Sequence, residues 1–164
     1  MLTQEELKKH LFYDPTTGVF IRKFATGSNR HLAGKIAGGY DGERYWMISV
    51  LNKRYRAHRL AWLYVYGTFP NDVIDHIDGN GQNNSIENLR DVTTAQNIQN
   101  QNKPHSKNKT GGLLGVSFHK AAKKFQAHIK TNGKNVYLGL FLTADAAHES
   151  YLNAKRELHE TCTI

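Results

Sequence analysis

Cysteine is all but missing: Cys162 is the only one among 164 residues, which excludes an internal disulfide and a cysteine-built zinc knuckle. Long apolar runs are missing too. No stretch approaches the roughly 18 residues of a membrane helix, and the first residues lack the apolar core of a signal peptide. A reducing, cytoplasmic setting is therefore expected, with no membrane partner. Carboxylates are absent between Asp91 and Asp145, whereas eight lysines run from Lys103 to Lys134. A solvated lysine-rich face would account for that asymmetry, and so would a surface for a polyanion.

What is present suits an ordinary soluble globular protein, and its helix and strand patterns, given below, make the expected fold class α+β: 39% of residues are hydrophobic, the net charge is +8 and the pI about 9.6. The excess charge is uneven. Met1 to Asn102 carries 12 basic and 10 acidic residues, and Lys103 to Ile164 carries 10 and 4. No internal repeat is visible.

Thr3 and Glu6 form a capping box, and Leu7 and Leu11 share one side of a first helix expected to end near Tyr13. Asp14 to Gly18 reads as a turn and Val19 to Phe24 as a strand. After a polar, glycine-bearing loop, Tyr45 to Leu51 and Arg54 to Ala57 read as two more strands. From His58, the residues Leu60, Ala61, Leu63 and Tyr64 mark a helix face closed by Gly67 and Pro70. Val73 to Ile77 is a β-branched strand, Gly79 to Ser85 a polar loop, and Thr93 to Asn100 a helix.

Residues 103–112 read as a flexible linker. Beyond it, Leu114 to His119 and the alternating Phe125, Ala127 and Ile129 read as strands. Asn132-Gly133 is a hairpin turn, with Val136, Leu138 and Leu140 expected to face one way on the return strand. Thr143 caps a helix whose stripe is Ala147, Tyr151, Ala154 and Leu158.

The segment from Asp75 to Asn97 reads DHIDGNGQNNSIENLRDVTTAQN. An isolated Asp-His pair is usually a surface accident. Asp78, Gly79, Asn80, Asn83 and Asn84 resemble a calcium loop, but the terminal glutamate falls at the wrong distance. Hydrolysis of a phosphodiester requires a base for the attacking water and positive charge on the phosphate; an imidazole titrating near pH 6.5 suits the first task.

Taken together, Asp75-His76, the Asp-Gly-Asn loop, Asn88-Leu89-Arg90 and Asn97 resemble the HNH nuclease family, in the branch whose last position is asparagine. The resemblance implies a ββα-metal core in which Asp75 and Asn97 hold one divalent ion, Mg²⁺ with Mn²⁺ as the alternative. It further implies His76 as general base. Asn88 would accept a hydrogen bond from the imidazole, and the products would carry 5′-phosphate and 3′-hydroxyl ends. The family often carries a pair such as His58-Arg59 before the helix that precedes the active strand. Arg59 is then either a phosphate clamp or an exposed helix-start cation.

Residues from Gly112 to His159 resemble the APETALA-type domain of plant ethylene-response factors. The likeness rests on Gly115-Val116, Lys-Phe-Gln-Ala-His-Ile, Tyr137-Leu138-Gly139-Leu140-Phe141, Thr143, Ala146-Ala147 and Tyr151. That resemblance implies a three-stranded antiparallel sheet backed by one helix, laid in the major groove. Ser117, His119, Lys124, Gln126, His128 and Lys130 would face DNA. Plant members carry arginine and tryptophan on these strands where this chain has mostly lysine, serine, glutamine and histidine, which leaves base readout open. A module that only stabilises or dimerises the first domain is the alternative.

The expected organisation is a nuclease domain over 1–102 (core about 56–102), a linker at 103–112 and a DNA-binding domain at 113–164. The expected function is cleavage of double-stranded DNA by a homing-like or phage-like endonuclease. The rivals are a non-catalytic DNA-binding regulator and a structure-specific or RNA-acting nuclease.

Overall fold

The computed structural model describes residues 1–24, 27–101, 112–159 and 162. The expected linker, 103–112, lies outside the described residues except for Gly112. The architecture is mixed α+β, with small antiparallel sheets and four α-helices among the described residues. It divides into two units, Met1–Thr94 and Ala95–Ile164. The division falls earlier than Asn102 because the end of the preceding helix belongs with the second unit: the Gln101 carbonyl accepts from the Lys155 ammonium, and Asn100 is buried.

In the first unit, α1 (Gln4–His10) starts at Thr3 with the capping box, the Thr3 hydroxyl accepting from Glu6 N–H. It stops short of Tyr13. Leu11 is extended (φ −126°), because β1 (Leu11–Tyr13) pairs with β2 (Phe20–Arg22), and that pairing overrides the helical spacing of Leu7 and Leu11. β3 (Gly39–Tyr40), β4 (Trp46–Val50) and β5 (Lys53–Arg56) form a second sheet. α2 (Ala57–Tyr66) follows directly and ends at left-handed Gly67. β6 (Val73–His76) pairs with β7 (Leu89–Val92), a strand not expected from the sequence, and α3 (Thr94–Gln99) comes next.

Leu7, Leu11, Tyr13, Phe20, Ile48, Leu60, Leu63, Ile74 and Leu89 make one core. This core joins the β1–β2 hairpin to the loop between β6 and β7. The Tyr13 hydroxyl donates to Asn84 O at 2.7 Å, and Ile86 N–H donates to Pro15 O at 2.9 Å.

In the second unit, β8 (Val116–His119), β9 (Lys124–Thr131) and β10 (Lys134–Phe141) run antiparallel in the order β10-β9-β8. α4 (Ala144–Leu158) covers one face, with Val116, Ala127 and Ala147 at the contact. The return strand departs from simple alternation. A bulge between Tyr137 and Gly139 inserts Leu138, so Leu140 pairs with Gln126 on the face away from α4 instead of turning inward. One extra residue reverses the facing of everything after it.

Gly18 carries the tightest constraint on the first unit. Its φ is +73°, and a Cβ there would stand 2.3 Å from Asn84 C and 2.4 Å from Ser85 N. Gly18→Ala is expected to cost at least about 2 kcal/mol, read from the midpoint of urea unfolding, because neither backbone can yield without displacing the loop.

Candidate active site

β6 ends at His76, and a loop carries the chain to a 3₁₀ turn at Ile86–Asn88. Asn88 closes this loop with three hydrogen bonds. Its amide oxygen accepts from Asp78 N–H at 3.0 Å; its amide nitrogen donates to Asp78 Oδ1 at 3.0 Å and to Asn83 O at 2.9 Å. Ile77 N–H donates to Asn88 O, carrying the β6–β7 ladder one step further. The Asn88 carboxamide is thus engaged by the loop backbone and Asp78. The Asp78 side chain also accepts from Asn83, and these bonds, with Asn80 N–H, hold its carboxyl below the ordinary range against the opposing effect of burial.

His76 is buried, and its neighbours are rings. The His58 ring meets it edge to face, centroids 5.0 Å apart and planes at 87°. Tyr45 lies 6.1 Å from His76 at 30° and 5.1 Å from His58 at 67°. Burial pushes the His76 pKa down; the Asn84 carboxamide and the nearby Asp78 oppose that shift. A neutral imidazole is the form that accepts a proton. His58 is pushed down further, to about 3, by burial first and then by the charges of His76, Arg56, Arg59 and Arg44. Its Nδ1 is buried without a hydrogen-bond partner among the described residues.

Asp75 is directly opposite Arg90 across the β6–β7 pair. Arg90 donates to Asp75 Oδ2 from Nε at 2.9 Å and from Nη2 at 2.7 Å. Asp75 and His76, neighbours on a strand, thus meet different partners, as the alternation of a strand requires. Asn97 is on α3, half-buried, at a position that groups with the second unit. Arg59 donates from Nη1 to Asp72 O at 3.3 Å and lies over the Phe69 ring at 5.7 Å, fastening the chain that leads into β6. Among the described residues there is no cluster of three or more His, Cys, Asp or Glu able to hold a metal.

Several neighbours of His76 escape a sequence reading. His58 is visible only as half of a pair with Arg59. Tyr45, read as the start of a strand, and Arg44 in the turn before it carry no sign of reaching His76; in that turn Asp41 Oδ1 accepts from the N–H groups of Glu43, Arg44 and Tyr45 at 3.0, 2.8 and 2.9 Å.

In the second unit, Ser117, His119, Lys124, Gln126, His128 and Lys130 share the sheet face opposite α4, alternating with the inward Val116, Phe125, Ala127 and Ile129. Gln126 donates to Ser117 Oγ at 3.0 Å, and the His128 and Tyr137 rings lie 5.2 Å apart. His119 is also used in a turn, its Nδ1 accepting from Ala122 N–H.

Residues 55–99 match the family model described as HNH endonuclease. The matched segment runs from the end of β5 to the end of α3 and takes in His58, Asp75, His76, Asn88 and Asn97; a nuclease enzyme is the class it supports. Two curated relatives are viral proteins. Over 80 residues the chain is 35% identical to protein 3.8 of Escherichia phage T7, covering 48% of this chain and 64% of the phage protein. Over 91 residues it is 34% identical to an uncharacterised HNH endonuclease of Acanthamoeba polyphaga mimivirus, covering 52% of this chain and 26% of that protein. The chain thus spans less than two thirds of the length of either relative. No solved structure matches it.

The depressed His58 pKa makes stability fall on acidification. Unfolded, the imidazole titrates near its ordinary 6.5; folded, it stays neutral to about 3. The unfolded chain therefore binds the extra proton, and the stabilisation present above pH 6.5 is lost as pH falls towards 3. The loss reaches up to about 1.4 kcal/mol per pH unit. His58→Phe, which keeps a ring but cannot titrate, is expected to flatten that slope in urea unfolding followed from about pH 8 to about pH 4.

Proposed function

We propose that this chain is a divalent-metal-dependent DNA endonuclease with His76 as its general base. The observation that carries this reading is the buried His76, its pKa pushed down by burial, at the end of β6 within a segment that matches HNH endonucleases. The imidazole takes the proton of the attacking water, and His58 and Tyr45 wall it from bulk solvent. Asn88 is a positioning residue that fixes the loop beside the imidazole.

In this reading, resting on the resemblance to the family, β6, β7 and α3 would make the ββα unit, and Asp75 and Asn97 are the residues that would hold the ion. A carboxylate and a carboxamide oxygen are hard donors of the kind Mg²⁺ or Mn²⁺ takes. When bound, the ion supplies charge to the phosphate and to the departing oxygen. Arg90, already bonded to Asp75 Oδ2, aims that carboxylate.

The second unit is the directing module of this proposal: an APETALA-type β surface that enters the major groove of double-stranded DNA. Its outward row carries Lys124 and Lys130 for phosphates, and Gln126, His128 and Tyr137 for base edges. A homing-like or phage-encoded nuclease that cuts at preferred sites is the corresponding biology, and the phage and giant-virus relatives support it.

Supercoiled plasmid incubated with protein and Mg²⁺ or Mn²⁺ is expected to become nicked or linear, and a chelator is expected to stop the reaction. His76→Ala should slow cutting about 100-fold or more while leaving DNA binding intact. Unchanged cutting by that variant would remove the base, and no cutting by the parent would leave a DNA-binding regulator. Substituting Lys124 and Lys130 by Gln should lower the salt dependence of duplex binding by about 1 per lysine. Cleavage at saturating DNA should stay as it was.

A further inference from the structure

Arg44 and Arg56 form an unassigned pair of cations beside His76. The Arg56 guanidinium lies over the Tyr45 ring at 4.6 Å from its centroid, and the Arg44 guanidinium lies over the same ring at 5.3 Å. That ring is the one packed against both His58 and His76. Both arginines are exposed, and among the described residues neither is ion-paired nor donates a side-chain hydrogen bond.

The pair is held in place from several sides. The Asp41 carboxylate fixes the backbone of the turn that presents Arg44 and Tyr45. Arg56 is the last residue of β5, paired with Met47 two positions beyond Tyr45, so strand register puts its side chain over that ring. The loop after His76 closes on the same turn, since a Cβ at Gly81 would stand 2.6 Å from Arg44 O.

Two like charges gathered on one aromatic ring repel each other unless an anion lies between or beside them. A guanidinium held over a ring by cation–π attraction still has N–H groups to donate, and their fork can grip phosphate oxygens two at a time. Lysine would not serve equally, because it has neither the fork nor the flat face.

From this we infer that Arg44 and Arg56, held over the Tyr45 ring, are a clamp for DNA backbone phosphates at the reacting strand beside His76. The site rests on the nuclease reading for its substrate. It differs from the Arg59 clamp expected from the sequence, because Arg59 bonds Asp72 O, on the chain that leads into β6.

The test uses the full chain and compares Arg44→Gln/Arg56→Gln with Lys53→Gln/Arg54→Gln, a control that removes equal charge from exposed positions on β5. Binding to a short mixed-sequence duplex is followed by fluorescence anisotropy in chelator across salt concentrations. The clamp variant should lose about 1.8 from the slope of log affinity against log salt, from two phosphate contacts, and the control distinctly less. At saturating plasmid and metal, cutting should fall about 100-fold in the clamp variant and stay within about twofold in the control.

Arg44→Lys/Arg56→Lys, which keeps the charge, separates the fork from simple attraction: it should retain most of the slope yet cut about tenfold more slowly. Thermal melts of all three variants identify any misfolding, and the lysine variant is then the one compared. Equal slope losses in clamp and control variants, or full turnover in the clamp variant, would overturn the inference. If the parent cuts no DNA, the nuclease reading falls, and the slope comparison still decides whether the two arginines grip phosphate.

Discussion

The carboxamide of Asn88 is the joint on which the first unit's site depends. One side chain accepts from the start of the loop and donates to its middle, so the excursion between β6 and β7 becomes a closed, braced turn. The position of Asn84 beside His76 follows from this closure, as does the seat that Tyr13, Pro15 and Gly18 offer from the β1–β2 hairpin. Backbone N–H groups left open by such a loop would need water; here they bond to side chains of the same loop. The result is a rigid wall one residue away from the imidazole.

Most carboxylates of the first unit have structural work. Asp41, Asp14 and Asp91 are used as backbone acceptors, Asp41 for three N–H groups and Asp91 for the N–H groups of Asn71 and Asp72. Asp75 faces Arg90.

Local signals carried the reading of the sequence furthest. The Thr3-Glu6 box, the Asn132-Gly133 turn and the Thr143 cap act within a few residues, and each is where its pattern puts it. The failures are non-local. Leu11 to Tyr13 left the helix for a partner strand, and Leu89 to Val92, only four residues inside a motif, became a strand because β6 needed a neighbour. Leu140 turned outward because of one bulge. For the candidate site, the motif singled out His76 and Asp75, which end β6, and Asn88, which closes the loop after it. Tyr45, Arg44 and Arg56 reach it only through the folding of β4 and β5 against α2, which no spacing encodes.

The ion pair between Asp75 and Arg90 bears on when an ion would join this protein. A buried carboxylate without a counter-charge is costly, and domains knitted together by their metal stay unfolded until it arrives. Here the guanidinium on the neighbouring strand already answers that charge at 2.7 Å. On the proposed metal-dependent reading, folding would therefore not wait for the ion: the chain would mature in an ion-poor compartment as an inert, finished scaffold, and become competent within the time an ion takes to diffuse in.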